Sequence, residues 1–416
     1  MMQSAVRAAV RSGRTLARAP AAVVSRRTMA TDEPLEKTAY YDMHVELKGK
    51  MVPFAGYSLP VLYETEAGGV LKETLNTRAL GCSGLFDVSH MGQLRWTGKD
   101  AVKFIEHCVV GDIAGLKPGE GRLSLITDQS GGIIDDTVIT NAGSYVYMVI
   151  NGACKHSDMD HFRREMASFN GDVHMEYLAE QQLLALQGPG AAAALAPLLP
   201  SSIDLAVMPF MTGVDCKVAG IEGCRVTRCG YTGEDGFEIS VPFAQAVNLA
   251  QSLLKHKGVM PTGLGARDAL RLEAGLCLYG NDIDLTTNPV EAGLAWTMGG
   301  VKGRRRTEQG FLGADKFLQP DGKLKKVTRK RVGIAGMKAP ARGHTEIFDA
   351  EGKTKIGEIT SGTFSPCLKR PLAMGYVAAE HSKTDTPVML SVRGKLQPAV
   401  VSSMPFVETR YFKPAA

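Results

Sequence analysis

Two adjacent carboxylates in a β-rich segment are the residues best suited to chemistry. Asp135 and Asp136 lie within residues 133–140, a run of Ile, Val and Thr that only these two acids interrupt. Because side chains alternate along a strand, the two carboxylates are predicted to point to opposite faces. Asp136 shares its face with Ile134 and Val138, which marginally favours it as a partly desolvated carboxylate with a pKa suited to acid or base work. A half-exposed sheet with a charged outer face accounts for the pattern about equally well.

The neighbouring segments predict a three-stranded meander around these carboxylates. One strand begins at Leu123 and the other covers residues 145–151. In the second strand, one face is wholly apolar and is predicted to pack in the core: Val146, Met148 and Ile150. The opposite face is amphipathic and could line a pocket: Tyr145, Tyr147, Val149 and Asn151.

A further acidic residue, Glu238, follows a Gly-rich turn on a separate predicted strand. An acidic side chain on a short strand is normally solvated. It can also accept two parallel N–H bonds from an amidine-like edge, such as that of a pterin. Residues 264–275 predict a helix with Arg267 and Arg271 one turn apart, where two like charges favour a carboxylate partner. A solvated basic face is the alternative for that pair.

The positive charge of the chain is concentrated at its N-terminus. The formal net charge is +5, but the first thirty residues contain six arginines and no acid, which leaves −1 for the rest. An Ala-, Ser- and Arg-rich leader without acids is typical of a mitochondrial transit peptide, and an ordinary basic terminus is the alternative. The nearly neutral body gives no support for a nucleic-acid partner. No apolar run reaches the ~18 residues of a membrane span, so a soluble protein of the mitochondrial matrix is predicted.

Neither the cysteines nor the histidines predict a metal site. The eight cysteines have no CxxC pair and are interpreted as buried small hydrophobic residues. Residues 156–161 offer two histidines and two aspartates, but the histidines do not share a helix face, and a solvated helix start is the better explanation. The sequence also lacks a phosphate-binding loop, a dinucleotide fingerprint and a nucleophile elbow, so NTP hydrolysis, NAD chemistry and Ser hydrolysis have no support.

The chain is predicted to divide into four parts. After the leader at residues 1–30, β-rich runs, Gly-punctuated turns and helical stretches predict an α+β body over 31–300. Residues 301–326 are rich in Gly, Lys and Arg, which predicts a basic linker or exposed loop. From 327 to 416, successive strands separated by turns predict an all-β barrel or sandwich.

Several segments together resemble the aminomethyltransferase family over nearly everything after the leader. Specific examples are Gly49-Lys-Met-Val-Pro-Phe-Ala-Gly, Leu85-Phe-Asp-Val-Ser-His-Met, Gly131-Gly-Ile-Ile-Asp-Asp, Cys229-Gly-Tyr-Thr-Gly-Glu-Asp-Gly and Met404-Pro-Phe-Val. The resemblance implies an α+β fold in which two folate-binding α/β lobes and a C-terminal antiparallel β-barrel form a cloverleaf around a central folate site.

The resemblance also implies roles for individual residues. Asp136, beside the reacting folate nitrogens, is implied as the catalytic residue, and Glu238 as the acceptor at the pterin edge. Arg267 and Tyr411 are implied as polar contacts to the folate glutamate tail or to the aminomethyl donor. The residues implied around the pterin and aminobenzoyl rings are Met91, Leu123, Tyr147, Val149, Asn151 and Trp296. No metal is expected.

The implied reaction uses tetrahydrofolate as a co-substrate. It transfers the methylene of an aminomethyl group on the dihydrolipoyl arm of H-protein to tetrahydrofolate, giving 5,10-methylenetetrahydrofolate, ammonia and dihydrolipoyl H-protein. The implied partners are lipoylated H-protein and, more loosely, the P- and L-proteins of glycine cleavage. The basic runs 302–306 and 323–331 are candidate docking charges for an acidic H-protein or a polyglutamate tail, and solvated loop charge is about equally consistent with them.

Three other functions fit parts of the resemblance. A folate-binding iron–sulfur-assembly relative shares the fold, but its Lys-Gly-Cys-Tyr-x-Gly-Gln-type motif differs from the segment that begins at Cys229 here. The folate half of a flavin-linked sarcosine or dimethylglycine dehydrogenase is a second, although this chain has no room for a flavin domain. A module that only binds lipoylated H-protein is a third.

Overall fold

The N-terminal part of the fold is a short helix and a β-hairpin. The computed structural model describes residues 34–414. Its first elements are α1 (Tyr41–Glu46), β1 (Gly49–Phe54), β2 (Tyr57–Tyr63) and α2 (Val70–Arg78). Strands β1 and β2 pair antiparallel as a separate two-stranded sheet. The predicted leader, residues 1–30, lies outside the described residues. In the described part of the chain, every helix is too short or too polar to cross a lipid bilayer.

Two larger sheets build the α+β body. The elements of its first half are β3 (Ser83–Asp87), β4 (Gly92–Thr97), α3 (Ala101–Cys108), β5 (Gly121–Thr127), β6 (Ile133–Asn141), β7 (Val146–Ile150), α4 (Lys155–Ser168) and β8 (His174–Tyr177). Those of its second half are β9 (Gln181–Gln187), α5 (Ala191–Leu195), β10 (Thr212–Val218), β11 (Ile221–Arg228), β12 (Gly236–Pro242), α6 (Ala246–Leu254), β13 (Val259–Pro261) and α7 (Leu264–Glu273). Two short 3₁₀ helices lie within this half, Ala196–Leu198 directly after α5 and Phe243–Gln245 directly after β12.

The strand order separates the two sheets of the body. One sheet has five strands in the order β5-β6-β7-β4-β8, all antiparallel. The other has six strands in the order β10-β11-β12-β9-β3-β13, and only the β3/β13 pair is parallel. Strand β9 lies between β12 and β3, which joins segments that are far apart in sequence.

The predicted three-stranded meander is confirmed by β5, β6 and β7. Its register sets Leu123 opposite Val138, and Val138 opposite Val149. The apolar face of β7 packs in a core with Trp96 and Phe162, as predicted for Val146, Met148 and Ile150. The other face of the meander is therefore turned away from this core, which leaves it free to contribute to a site.

The segment predicted as a basic linker is instead folded against the body. It contains α8 (Arg304–Glu308) and α9 (Ala314–Phe317), preceded by a 3₁₀ helix at Ala295–Met298. Phe311 and Phe317 share a hydrophobic core with Leu125 of β5. Arg305 is only 2% exposed and donates hydrogen bonds to the carbonyl oxygens of Glu106 and Val109. The prediction of an exposed loop is wrong because composition does not show which charges are satisfied inside the fold.

Burial also removes part of the predicted docking charge. Arg305 and Arg306 are both buried, and Arg306 donates to the carbonyl oxygen of Ala295 at 3.0 Å. Arg304 is more open but pairs with Glu106, Asp112 and Glu308. The idea that these three arginines act as free docking charge for H-protein is therefore wrong.

We expect Arg305→Ala to destabilise the protein by about 2–4 kcal/mol, since it leaves buried carbonyl groups without a donor. Thermal or urea unfolding of the full chain measures the effect. Lys302→Ala is the matched control, because Lys302 is exposed in the same segment and its loss should change stability by less than about 0.5 kcal/mol. Equal midpoints for the two variants would show that Arg305 does not fasten the segment.

The C-terminal domain is a closed antiparallel barrel, which decides between the two predicted all-β forms. Its strands are β14 (Arg329–Ala335), β15 (Glu346–Phe348), β16 (Lys355–Ser365), β17 (Arg370–Ala378), β18 (Pro387–Val392) and β19 (Lys395–Ser402), with a 3₁₀ helix at Ala379–His381. They close in the order β14-β17-β16-β15-β18-β19. Buried aliphatic residues such as Ile334, Ile347 and Leu390 fill its interior.

The barrel is fastened to the body by α7. Arg271, only 2% exposed, bonds Asp282 at 2.6 Å and the Ser361 hydroxyl of β16 at 2.9 Å. Asp282 also accepts a hydrogen bond from the hydroxyl of Thr360. Asp282 is thus the carboxylate partner of Arg271, one of the two arginines for which such a partner was expected. The structural role of Arg271 is to join α7 to the barrel.

Candidate active site

The two sheets of the body face each other across a narrow crevice. The five-stranded sheet contributes β6 and β7, and the six-stranded sheet contributes β9, β11, β12 and the turn that follows β11. The lining residues are Val138, Thr140, Tyr147, Val149, Leu183, Thr227, Cys229 and Glu238. Apolar walls with a few polar groups at fixed positions suit a flat heteroaromatic ring.

Two of the four residues predicted on the amphipathic face of β7 reach this crevice. Tyr147 and Val149 line it, while the alternate residues pack in the core behind the sheet. The Tyr147 hydroxyl donates to Oε1 of Gln93 on β4 at 2.7 Å. This bond fixes the Tyr147 ring as a rigid part of the wall.

The two adjacent carboxylates of β6 lie on opposite faces, as predicted. Asp136 is opposite Leu125 in the register and shares the crevice face with Val138, whereas Asp135 is opposite Ile126, which belongs to the core. Asp136 is partly buried, but Asp135 is 0% exposed. Asp136 thus lies on the face of β6 that carries the crevice, but it is not among the residues that line the crevice.

Asn151, at the end of β7, connects the two carboxylates. Its side-chain Nδ2 donates to Oδ1 of Asp135 at 2.8 Å and to Oδ1 of Asp136 at 2.9 Å. Its backbone N–H donates to Oδ2 of Asp135 at 2.8 Å. Asn151 therefore positions both acids.

The environment raises the proton affinity of both acids. Burial, followed by the negative charge of Asp135, raises the pKa of Asp136 to about 7, against the lowering effect of the Asn151 hydrogen bond. Burial raises the pKa of Asp135 to about 6, although hydrogen bonds from Asn151 oppose the shift. Two interacting carboxyl groups that titrate near neutrality can hold or release a proton under physiological conditions.

Glu238 supplies a negative charge on the other side of the crevice, and Arg267 of α7, which is not a lining residue, supplies a positive charge that acts on it. Burial raises the pKa of Glu238, and the positive charge of Arg267 lowers it. The Arg267 guanidinium lies 4.7 Å from the centre of the Tyr231 ring. Its Nη1 is buried without a hydrogen-bond partner among residues 34–414. An orphaned guanidinium nitrogen of this kind is suited to an acceptor atom of a bound molecule.

His90 is a neutral neighbour of this charged group. Burial, followed by the positive charge of Arg267, lowers the pKa of His90 to about 3. His90 is therefore uncharged at neutral pH and adds no second cation beside Arg267.

The other residues implied by the resemblance lie at different distances from the crevice. Met91 packs against the hydrophobic cluster that contains Tyr147 and Val149. Leu123 of β5 lies opposite Val138 of β6. Trp296 is 61% exposed on the 3₁₀ helix Ala295–Met298, which contacts β5. It is not among the residues that line the crevice.

Tyr411 also lies outside the crevice lining. Its ring centroid is 4.3 Å from that of Phe210. Burial raises the pKa of its hydroxyl, and Arg78 and Glu234 are the charged groups nearest to it. Tyr411 thus belongs to the C-terminal tail that packs near the buried Arg78–Glu234 ion pair.

Sequence reasoning missed Thr227, Cys229 and Leu183 as lining residues. Thr227 lies opposite Glu238 in the β11–β12 pairing, so extending the face of Glu238 across that hairpin would have identified it. Leu183 comes from β9, whose place beside β12 has no local signal in the sequence. Cys229 is buried, and burial raises the pKa of its thiol.

A second cavity lies at the other end of the Tyr147 side chain. It measures about 230 Å³ and is bordered by Arg95, Tyr145, Tyr147 and Arg225, among others. Arg225 pairs with Asp215 at 2.7 Å, and Tyr145 also bonds Asp215. More charged residues line this cavity than line the crevice, and Asp136 is not among those that border it.

Comparisons with known proteins agree over nearly the whole chain. The model of the GCVT N-terminal domain matches residues 40–302, and that of the glycine cleavage T-protein C-terminal barrel domain matches 329–408. The chain is 49% identical over 408 residues to the mitochondrial aminomethyltransferase of Mesembryanthemum crystallinum, with 96% of each chain covered. It is 49% identical over 415 residues to that of Homo sapiens, with 99% of each covered.

A solved structure gives the same result. The crystal structure of glycine cleavage system aminomethyltransferase T from Bartonella henselae matches with a TM-score of 0.82 at 39% identity. The match covers 91% of this chain and 100% of that one.

Proposed function

The chain belongs to the aminomethyltransferase family of glycine cleavage T-proteins, and we propose that the crevice between its two sheets is where the transfer takes place. It is a mitochondrial enzyme that passes the methylene of an aminomethyl group from dihydrolipoyl H-protein to tetrahydrofolate. The products are 5,10-methylenetetrahydrofolate, ammonia and dihydrolipoyl H-protein. The observation that carries the site proposal is that Asp136 and Glu238 occupy facing sheets, with the positive charge of Arg267 close enough to lower the pKa of both.

The crevice measures only about 10 Å³. We infer that its two sheets separate to admit tetrahydrofolate, a flat, amphipathic co-substrate. Val138 and Val149 on one sheet and Leu183 on the other provide apolar surfaces for the pterin faces. Glu238 provides a carboxylate for the pterin edge, where two parallel N–H groups match two carboxylate oxygens. The unpartnered Nη1 of Arg267 is a donor for an acceptor atom of the folate or of the aminomethyl group.

Asp136 is the proposed catalytic residue. With a pKa raised to about 7 by burial and by Asp135, it is partly ionised at neutral pH. It can therefore accept a proton from the reacting amine or stabilise positive charge on the carbon that is transferred. At ~4 Å and an effective dielectric constant of ~20, such a charge interaction is worth up to ~4 kcal/mol, similar to general acid–base help. Both roles require the carboxylate to face the crevice.

Lipoylated H-protein is the proposed macromolecular partner, with the P- and L-proteins as looser ones. Trp296, exposed on the 3₁₀ helix that contacts β5, and Tyr411, on the C-terminal tail, are the proposed contacts for groups that enter from the surface. Arg304 and Arg305 are paired with carboxylates, and Arg306 is buried. The exposed lysines of the basic runs, such as Lys302, are therefore the proposed docking charge.

The iron–sulfur-assembly alternative is not favoured. A functional cysteine there needs an accessible thiol whose pKa is low enough to ionise. Cys229, the cysteine of the corresponding segment, is 3% exposed, and burial raises the pKa of its thiol. This residue is better suited to packing beside Glu238.

The function is tested by ammonia release from purified full chain supplied with aminomethylated H-protein and tetrahydrofolate. We expect rapid release only when both are present, with equimolar 5,10-methylenetetrahydrofolate. Binding of both partners without ammonia release would contradict the enzymatic function, and release independent of folate would contradict the role of folate as acceptor.

A further inference from the structure

A second buried acid lies behind the catalytic carboxylate. Asp158 on α4 and Asp135 on β6 are both 0% exposed. One carboxyl oxygen of Asp135, one of Asp158 and the Cys154 sulfur all lie within 4.8 Å of one another. The predicted solvated helix start is therefore wrong for Asp158, and also for His161, which is 6% exposed. The helix turns this face toward the sheet.

The hydrogen bonds of the two acids are very unequal. Asp135 accepts two from Asn151, one from the backbone and one from the side chain. Neither oxygen of Asp158 has a donor among the described residues. Two carboxyl groups this close and this dry can bond each other only if one of them carries a proton. Since Asp135 already has donors that favour its ionised form, Asp158 is the group that keeps the proton.

The other ionisable groups around the pair support this assignment. Asp136 on β6 adds a negative charge near the pair, and the Cys154 thiol is neutral. The Tyr279 hydroxyl is occupied elsewhere, since it donates to the carbonyl oxygen of Ile133 at 3.2 Å. The charge of Arg267 acts on Asp136, on the crevice side of the sheet. Burial, followed by the charge of Asp135, raises the pKa of Asp158 to about 10. Lys155, one turn before Asp158 on α4, donates instead to the Tyr57 hydroxyl at 2.6 Å. Within residues 34–414, no cation forms an ion pair with Asp158.

We propose that Asp158 is a positioning residue for the transfer reaction: its protonated carboxyl group donates to Asp135, which through Asn151 holds Asp136 in place. The chain of contacts runs from α4 through the sheet to the crevice, from Asp158 to Asp135, then to the Asn151 amide, then to Oδ1 of Asp136. This inference rests on the proposed role of Asp136. It adds a residue that never touches the substrates.

The test compares two substitutions that differ in hydrogen bonding. Asp158→Asn keeps a neutral N–H donor toward Asp135, so we expect turnover within about threefold of wild type and an unchanged acid limb of the kcat–pH profile. Asp158→Leu has similar size but no donor. We expect its turnover at pH 7 to fall at least threefold and the acid limb to move up by at least about 0.5 pH unit, because the ionised Asp135–Asp136 pair loses a stabilising bond. Asp160→Asn, exposed on the same helix, is the matched control and should match wild type.

A stability measurement separates this role from simple packing. A carboxyl group whose pKa is higher in the folded protein than the ~3.9 of the unfolded chain weakens folding as pH rises above ~3.9. Asp158→Asn removes that penalty, so its thermal midpoint at pH 7.5 should exceed that of wild type by at least about 2 °C. A lower midpoint in Asp158→Asn would overturn the assignment of the proton to Asp158.

Infrared spectroscopy of the full chain gives a readout that does not depend on activity. At about pH 8.5, Asp135 and Asp136, whose pKa values are raised to about 6 and about 7, are largely ionised, whereas Asp158 keeps its proton. We expect a carbonyl stretch from a protonated carboxylic acid at that pH that disappears in Asp158→Asn. If Asp158→Asn is as impaired as Asp158→Leu, or if Zn²⁺ or Mn²⁺ binds stoichiometrically to wild type and not to Asp158→Asn, the group is ionised and the proposal fails. An active Asp136→Asn variant with the infrared band intact would instead contradict the proposed catalytic role of Asp136.

Discussion

Asp136→Asn is expected to lower turnover at least tenfold while leaving tetrahydrofolate affinity within a few-fold of wild type. The amide keeps the size of the side chain and can still bond Asn151, but it cannot accept a proton or carry negative charge at the crevice. The loss should lie within the 10²–10⁴-fold range of general acid–base help or somewhat below it. The measurement is kcat for ammonia release at saturating folate and H-protein, with folate affinity determined by calorimetry.

Asp135→Asn is the informative comparison for this prediction. Asp135 is on the opposite face of β6 and acts on Asp136 through Asn151 and through its charge. We expect a smaller loss of turnover than for Asp136→Asn. If Asp135→Asn abolishes turnover and Asp136→Asn does not, the assignment of the crevice-facing acid is wrong.

The second large effect is expected for Glu238→Gln, which should weaken tetrahydrofolate binding by about 1.5–3 kcal/mol, or roughly 10- to 150-fold. The substitution replaces a charged, two-oxygen acceptor with a neutral amide that turns one donor toward the N–H groups of the pterin edge. It also removes one of the two carboxylates whose charges act on Arg267, and leaves Asp136 as the other. Calorimetric titration with tetrahydrofolate measures the loss.

Glu222→Gln is the control for Glu238→Gln. Glu222 lies on the neighbouring strand β11, where it is exposed and pairs with Lys217 at the surface. Its replacement should leave folate affinity unchanged. Equal affinities of wild type, Glu222→Gln and Glu238→Gln would remove Glu238 from the binding site.

Local alternation predicted the part of the site that belongs to one meander. Because β5, β6 and β7 follow each other in sequence, pairing between consecutive strands is the simplest arrangement. Alternation of side chains along each strand then assigns Asp136 and Tyr147 to one face of the sheet. The helix over residues 264–275 was predicted from its ends and is seen as α7, with Gly275 at a φ of +72° after it. The family resemblance favoured the barrel over a sandwich and supplied the proposed roles of Glu238 and Arg267.

Long-range packing set the limits of the sequence analysis. Leu183 reaches the crevice because β9 inserts between β12 and β3, and no local pattern specifies that order. Asp158 and Arg305 were interpreted as solvated because charged residues usually are. Both are buried by tertiary contacts, Asp158 against Asp135 and Arg305 against backbone carbonyl groups.

The most direct test of the proposed site is a crystal structure of the protein with bound tetrahydrofolate. We expect the pterin between the two sheets, its edge within hydrogen-bond distance of Glu238, and the reacting nitrogens beside Asp136. The competing location is the cavity of about 230 Å³ beyond Tyr147, next to Arg225. Density for the pterin in that cavity, with Asp136 and Glu238 making no contact to it, would contradict the account of the active site.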